Sequence, residues 1–198
     1  MRALVVYCHP VAGSFNAAVR DVVTEGLHQA GVEFRLCDLY PRGFQPALTE
    51  AELTGYLDEP QNRAPVQQDV EDLLWCDTLI FVYPTWWYGL PAMLKGWLDR
   101  VMVQGVAFLM PDGANKDIRR GLTHITRLGV FTTCGASWIL TQLMGAPGKR
   151  TLTRGLRSIL AARCRTVFMA HYLMDSSTPA SRSAHLERVR AKLARFIG

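Results

Sequence analysis

Short apolar runs without alternation, each followed by a loop and then a helix-forming stretch, restrict this chain more than any other feature. Ala3-Leu-Val-Val-Tyr7 is the first run. A continuous β-branched run of this length marks a strand buried on both faces. Pro10 and Gly13 then break the chain into a turn over 8–14. From Ser14 to Ala30 the apolar residues Phe15, Val19, Val22, Val23 and Leu27 share one helical face. Gly31 follows as a helix stop, and Val32 to Leu39 reads as a second strand. This strand-loop-helix-strand order predicts parallel strands joined by a right-handed crossover.

The same logic runs to the end of the chain. Thr78-Leu-Ile-Phe-Val-Tyr83 predicts a third strand, ended by Pro84. Arg127 to Thr133 predicts a fourth and Arg165 to His171 a fifth. Helices are expected over Val66 to Trp75, Leu90 to Val101, Thr151 to Ala162 and Ser183 to Ile197, with a short one over Thr49 to Leu57. Pro91 is tolerated in a first helical turn. Tyr40 to Pro65, rich in Pro, Gly and Gln, reads as an excursion from the core. Residues 104–120 and 135–148 read as irregular. Five parallel strands alternating with helices predict a three-layer α/β sandwich. With 198 residues and no internal repeat or linker, one domain spanning 1–198 is expected.

Charge and cysteine content narrow the function. The net charge is +5 and the isoelectric point about 9.1. Basic residues gather in the second half, at Arg119, Arg120, Lys149, Arg150, Arg154, Arg157, Arg163 and Arg165 and from Arg182 to Arg195. In the tail they alternate with apolar residues, as on a solvated helix face. No recognition motif and no interleaved aromatics accompany them, which argues against nucleic acid. Five scattered cysteines with no Cys-x-x-Cys pair argue against a disulfide framework and against a metal site, and for a reducing, cytoplasmic compartment. No signal peptide is legible, and no apolar run is long enough for membrane insertion. His28, His124, His171 and His185 have no ligand spacing and read as structural or exposed.

In an open parallel sheet, ligands bind beyond the carboxyl ends of the strands, at the point where strand order reverses. Three loops there carry chemistry. His9, Ser14, Phe15 and Asn16 lead into a helix start, an anion site. The same Ser and Asn also make ordinary helix caps. Pro84-Thr-Trp-Trp-Tyr88 places two Trp and a Tyr in a loop, which implies a flat ligand or a protein contact. Thr132-Thr-Cys-Gly135 offers hydroxyls and backbone amides for the edge of a polar ring. Together the three loops predict a ligand with an anionic part and a flat ring, the shape of a flavin nucleotide. Cys8 and Cys134 adjoin these loops and read as small buried fillers.

These loops also carry a resemblance. Leu4-Val-Val-Tyr-Cys-His-Pro10 with Ser14-Phe-Asn16, the block from Ile80 to Val101, and Val130-Phe-Thr-Thr-Cys-Gly135 resemble the flavodoxin-like NAD(P)H dehydrogenase (quinone) family. That family includes mammalian quinone reductases and bacterial ancillary oxidoreductases of potassium efflux systems. The resemblance covers residues 1–135 well and the rest loosely. It implies a flavodoxin-like sheet of order 2-1-3-4-5, with helices on both faces. It implies non-covalent FAD, or alternatively FMN, with NADPH or NADH as co-substrate. A homodimer and two-electron reduction of a quinone or similar small acceptor complete the expectation.

Carried over residue by residue, His9, Ser14, Phe15 and Asn16 would hold the phosphate side of the flavin. Pro84, Thr85, Trp86, Trp87 and Tyr88 would contact the isoalloxazine, with Trp87 and Tyr88 also walling the substrate pocket. Thr132, Thr133, Cys134 and Gly135 would hydrogen-bond the polar edge. No side chain need act as a nucleophile, so strictly catalytic residues are not assigned, and a ping-pong order is expected. The mammalian enzymes carry a Tyr and a His in the loop after Thr-Thr-Gly-Gly, where this chain has Leu140 or Thr141 and Pro147, so that charge relay is absent. Lys149 and Arg150 would meet a phosphate of NADPH or the flavin edge, or form solvated surface.

Three other readings are compatible with such a sheet. A low-molecular-weight tyrosine phosphatase needs Cys-x5-Arg, but Ser14 stands where the Arg would be. An electron carrier of the flavodoxin kind would be smaller and acidic. A non-enzymatic regulatory protein would use Trp86 to Tyr88 as a protein contact.

Overall fold

The computed structural model describes residues 1–114 and 116–198. Five parallel strands form the central sheet: β1 Arg2–Tyr7, β2 Glu33–Asp38, β3 Thr78–Thr85, β4 Arg127–Cys134 and β5 Arg165–His171. Their spatial order is β2-β1-β3-β4-β5, the order that the resemblance implies. The chain leaves β1 for β2 on one side and returns to place β3 on the other. Strand direction of travel therefore reverses between β1 and β3.

The helices are α1 Phe15–Gln29, α2 Glu50–Thr54, α3 Gln67–Trp75, α4 Ala92–Val101, α5 Trp138–Leu143, α6 Pro147–Arg150 and α7 Pro179–Ile197. Apolar residues on both faces of β1, β3 and β4 are buried, as continuous runs require, while the edge strand β2 leaves Leu36 exposed. On one face Leu4, Val6, Leu79, Phe81 and Tyr83 pack with Leu73 of α3 and with Leu94 and Trp97 of α4. On the other, Val5, Tyr7, Ile80 and Phe131 pack with Val19, Val23 and Leu27 of α1 and Val189 and Leu193 of α7.

Several boundaries differ from the sequence reading, each for a physical reason. β3 does not stop at Pro84. It continues to Thr85, in register with β4 through Pro84↔Thr133 and Thr85↔Cys134. β1 pairs with β3 only as far as Tyr7↔Val82, so the missing N–H of Pro84 breaks no bond to β1. Pro91 is the residue before α4 rather than inside it. The 135–148 stretch, expected to be irregular, holds α5, capped by Ser137 Oγ, and the start of α6. Thr151–Gly155 is a π turn and Leu156–Ile159 a 3-10 turn, instead of one α-helix. Residues 104–120 hold a two-residue antiparallel ribbon, Phe108–Leu109 with Arg119–Arg120. α2 is shorter than expected. α7 is longer, since Thr178 forms a capping box with Ser181 ahead of Pro179.

A buried carboxylate ties the layers together. Asp69 of α3 accepts both guanidinium nitrogens of Arg42, at 2.9 and 3.0 Å, and the indole N–H of Trp97 at 2.8 Å. Its other contact is the thiol of Cys37, at 3.4 Å. Both carboxylate oxygens therefore have partners, which is the condition for a tolerable buried charge.

A second buried polar group escaped the sequence reading. His171 ends β5 and His185 lies in α7, yet their rings meet edge-to-face with centroids 4.9 Å apart. Phe15 touches both. Burial chiefly, then the His171 ring and the Arg188 guanidinium, push His185 down from 6.5 to about 4. His185 is therefore neutral in the fold where the unfolded chain would take up a proton. Its contribution to stability is intact above pH 6.5 and is lost as pH falls toward 4. That loss is roughly 3 kcal/mol. Urea titrations of wild type and His185→Phe at neutral pH and near pH 4 should show the pH-dependent loss shrinking by that amount in the variant. Equal losses in both proteins would contradict it.

Candidate functional site

The three loops singled out in the sequence converge at the carboxyl edge of the sheet, beside the β1/β3 reversal. They are bonded to one another. The Asn16 amide nitrogen donates to Thr133 Oγ1 at 2.8 Å, which joins the first loop to the third. Thr85 Oγ1 and Thr132 Oγ1 lie 2.9 Å apart, which joins the second to the third. Because Thr132 and Thr133 are neighbours in one strand, they point to opposite faces of the sheet. One strand end thus braces a loop on either side.

The first loop is built as an anion cradle. Ser14 caps α1, its hydroxyl accepting from Ala17 N at 3.1 Å. That leaves the amides of Phe15 and Asn16 in the first turn with no intrahelical acceptor. Asn16 is buried, yet its side-chain carbonyl oxygen has no partner. His9 accepts from Val11 N at 3.0 Å and faces Trp86 across 6.4 Å between ring centroids. Burial holds His9 below its usual range, so its ring is neutral at neutral pH.

The second loop carries backbone strain. Gly89 N donates to Trp86 O at 2.9 Å, and between them Trp87 and Tyr88 have φ of 48° and 60°. Two successive positive φ values under an i to i+3 bond are the signature of a type I′ turn, whose favoured central residues are Asn and Gly. Trp87 stands almost wholly in solvent, at 95% exposure, and Trp86 is also exposed.

The turn is held from behind. Gly148, in α6, donates its N–H to Tyr88 O at 3.2 Å. A Cβ at Gly148 would lie 3.0 Å from the backbone of Gly89, so any larger residue would have to push the turn away by a few tenths of an ångström. α5 and α6 are in this way the buttress of the aromatic loop.

The third loop is quieter. Thr132, Thr133 and Cys134 are buried. Cys134 Sγ rests 3.6 Å from Thr141 Oγ1, the small-filler role expected of it, and Cys8 is likewise buried. A Cβ at Gly135 would strike the carboxylate of Asp175.

Lys149 and Arg150 are exposed. The Lys149 ammonium sits over the Phe168 ring, 5.1 Å from its centroid, and shares a narrow cleft with Tyr88, Thr132 and Tyr172. Tyr172 and Gly148 are the residues of this region that sequence reasoning missed, since neither follows a strand-loop motif. A roomier groove of about 610 Å³ lies at the other end of α1 and α7, lined by Gly26, Val32 and Leu193. None of the loop residues reaches it.

Comparison with known proteins agrees with this geometry. A family model described as flavodoxin-like fold matches residues 1–196. Human ribosyldihydronicotinamide dehydrogenase [quinone] is 30% identical over 157 residues, covering 71% of this chain and 67% of that protein. The orangutan (Pongo abelii) protein of the same name is 31% identical over the same shares. Among solved structures, an NAD(P)H:quinone oxidoreductase from Methanothermobacter marburgensis superposes with a TM-score of 0.84 at 25% identity, covering 98% of each chain. A parallel sheet of this order, three cross-bonded loops at its reversal point and relatives of this kind together place the chain in the flavodoxin-like NAD(P)H dehydrogenase (quinone) family.

Proposed function

We propose that the protein is a flavin-dependent oxidoreductase that takes two electrons from NADPH or NADH and passes them to a quinone or a similar small acceptor. The observation that carries this reading is the cross-bonded edge: a helix N-terminus with two free amides, a strained aromatic loop and a hydroxyl pair, held together through Asn16–Thr133 and Thr85–Thr132. The unpartnered buried oxygen of Asn16 is an acceptor left for a ligand group to satisfy. A bound flavin would accept hydride from the nicotinamide and deliver it to the acceptor.

The chain's own residues bind, orient and shield. Phe15 and Asn16 amides, with the positive end of α1, hold the phosphate. His9 Nδ1 already accepts from Val11 N, which leaves its other ring nitrogen to meet the phosphate. Trp86, Trp87 and Tyr88 offer ring faces to the isoalloxazine, with Pro84 and Thr85 at its flank. Thr132, Thr133, Cys134 and Gly135 face its polar edge. One aromatic wall serves both the nicotinamide and the acceptor, so they take turns, which is a ping-pong order.

FAD is the flavin we favour over FMN, because the Ser14-Phe-Asn16 loop and the Tyr40 to Pro65 excursion resemble those of FAD-binding quinone reductases. The same resemblance extends the reading to a homodimer of one-domain chains working in the cytoplasm.

The purified protein should show the visible absorbance of oxidised flavin, bleached by anaerobic NADPH, and heat should release FAD. A colourless protein that also fails to take up added FAD or FMN would refute the assignment. Asn16→Ala should weaken flavin binding by about tenfold to a hundredfold through the lost bonds, measured by titrating flavin fluorescence on apoprotein. Trp87→Asn with Tyr88→Gly installs residues suited to the turn. It should raise apoprotein stability by about 2 kcal/mol, or roughly 4–8 °C in Tm, while lowering flavin retention and turnover. An unchanged or lower Tm would show that the turn stores no strain.

A further inference from the structure

Phe15 belongs to two structures at once. Its amide is one of the two N–H groups left free at the start of α1, where the anion cradle lies. Its ring packs against two imidazoles. It meets His171, at the end of β5, edge-on with centroids 5.4 Å apart, and His185 of α7 at 6.0 Å. Both histidines are buried. The backbone of the same turn closes on Ser14 O, which accepts from Ala17 N and Ala18 N at 3.0 and 3.3 Å. The position of the cradle is therefore tied, through one ring, to a histidine pair that no sequence motif connects to it.

That pair suits only a neutral His185. Arg188 Nη2 lies 3.4 Å from His185 Nδ1. A guanidinium can only donate, so Nδ1 accepts and the neutral ring carries its proton on Nε2. A second proton would have to enter at Nδ1, where it would cancel that bond and set two like charges side by side. His185 is faced by His171 from β5, by Phe15 from α1 and by Arg188 from its own helix. Among the described residues the titratable or charged groups that act on it are His171 and Arg188, and no carboxylate is among them. His185 Nε2 and His171 Nδ1 have no partner, so no hydrogen bond holds either ring at those atoms. A cavity of about 600 Å³, lined by His171, Tyr172, Ser181 and Arg188, adjoins the pair and offers a charged ring a way to water.

We propose that His185 is a positioning residue for the anion cradle: with His171 it clamps the Phe15 ring while neutral, and taking up a proton opens the clamp, loosens the first turn of α1 and releases the flavin. The flavin clause rests on the oxidoreductase reading; the clamp does not. In the clamp, burial chiefly holds His185 near 4, and once freed the ring returns to its ordinary 6.5. Acid therefore favours the open turn progressively between those two values. A direct contact would act in the opposite sense, since an imidazolium touching the phosphate would grip it more tightly in acid.

The test compares wild type with His185→Phe, which keeps a ring against Phe15 and cannot titrate, between about pH 7.5 and about pH 5. One readout is the rate at which FAD leaves the holoprotein, followed as recovery of flavin fluorescence on dilution. FAD serves as the probe because its pyrophosphate keeps its charge through this range, unlike a phosphate monoester. The other is hydrogen exchange at the Ala17 and Ala18 amides of the apoprotein, corrected for the intrinsic effect of pH. Relative to the variant, both rates in wild type should rise at least about tenfold toward the acid end. Amides of β1 should stay better protected than Ala17 and Ala18 throughout, because the turn opens without the sheet.

The same pH dependence in wild type and His185→Phe would overturn the proposal. So would slower FAD release in acid, which would mark a phosphate contact, or Ala17 and Ala18 exchanging only as fast as β1, which would mark global unfolding. Should the phenylalanine variant fail to fold, His185→Gln keeps an acceptor for Arg188 and carries the same expectation. A protein that takes up no flavin would refute the oxidoreductase reading, and exchange at Ala17 and Ala18 would still decide the clamp.

Discussion

Asp69 is the point through which the layers of this protein are fixed relative to one another. Its two oxygens receive Arg42 from the segment after β2 and Trp97 from α4. The carboxylate itself belongs to α3. Three elements distant in sequence are therefore locked to one charge that cannot find water. α4 begins only a few residues after the aromatic turn, so fixing Trp97 fixes the far end of that loop. Pro84 and Thr85, zipped to β4, fix its near end. The turn is held at both ends and buttressed from behind by Gly148, which is what lets Trp87 and Tyr88 persist at positive φ. Strain of this kind survives only where the surroundings over-determine it.

The cross-links between the loops have a related logic. Asn16–Thr133 and Thr85–Thr132 make the positions of an anion site and a ring site mutually dependent. A ligand long enough to touch both meets a preformed spacing, and the cost of ordering the loops is met on folding rather than on binding.

The sheet was legible because β1 and β3 carry unbroken apolar runs, and the loops because each follows a strand at the edge where parallel sheets bind ligands. What was not legible depends on tertiary contacts. Pro84 reads as a strand end, since a proline lacks its N–H; only the overhang of β3 beyond β1 makes that harmless. α5 was read as irregular because helix periodicity is recognised by a buried apolar face, and Trp138, Ile139 and Leu143 face outward. The turn at Trp87 and Tyr88 has none of the Asn-Gly chemistry by which such turns are recognised. His171 and His185 have no spacing signal, because the fold, not the sequence, brings β5 against α7. Thr141, at one of the positions where the relay Tyr would fall, supports Cys134 and the base of α5.

All five cysteines are buried, and burial pushes the thiols of Cys8 and Cys76 up to about 12; Cys37 and Cys164 are shifted the same way. Thiolates, not thiols, attack electrophiles, and quinones are soft electrophiles that arylate thiolates. A protein handling them beside Cys8 and Cys134 would inactivate itself if those sulfurs were ionised and open to solvent. Burying both sulfurs, and raising the Cys8 thiol, keeps them out of reach of such an acceptor. It also leaves little thiolate for peroxide to oxidise.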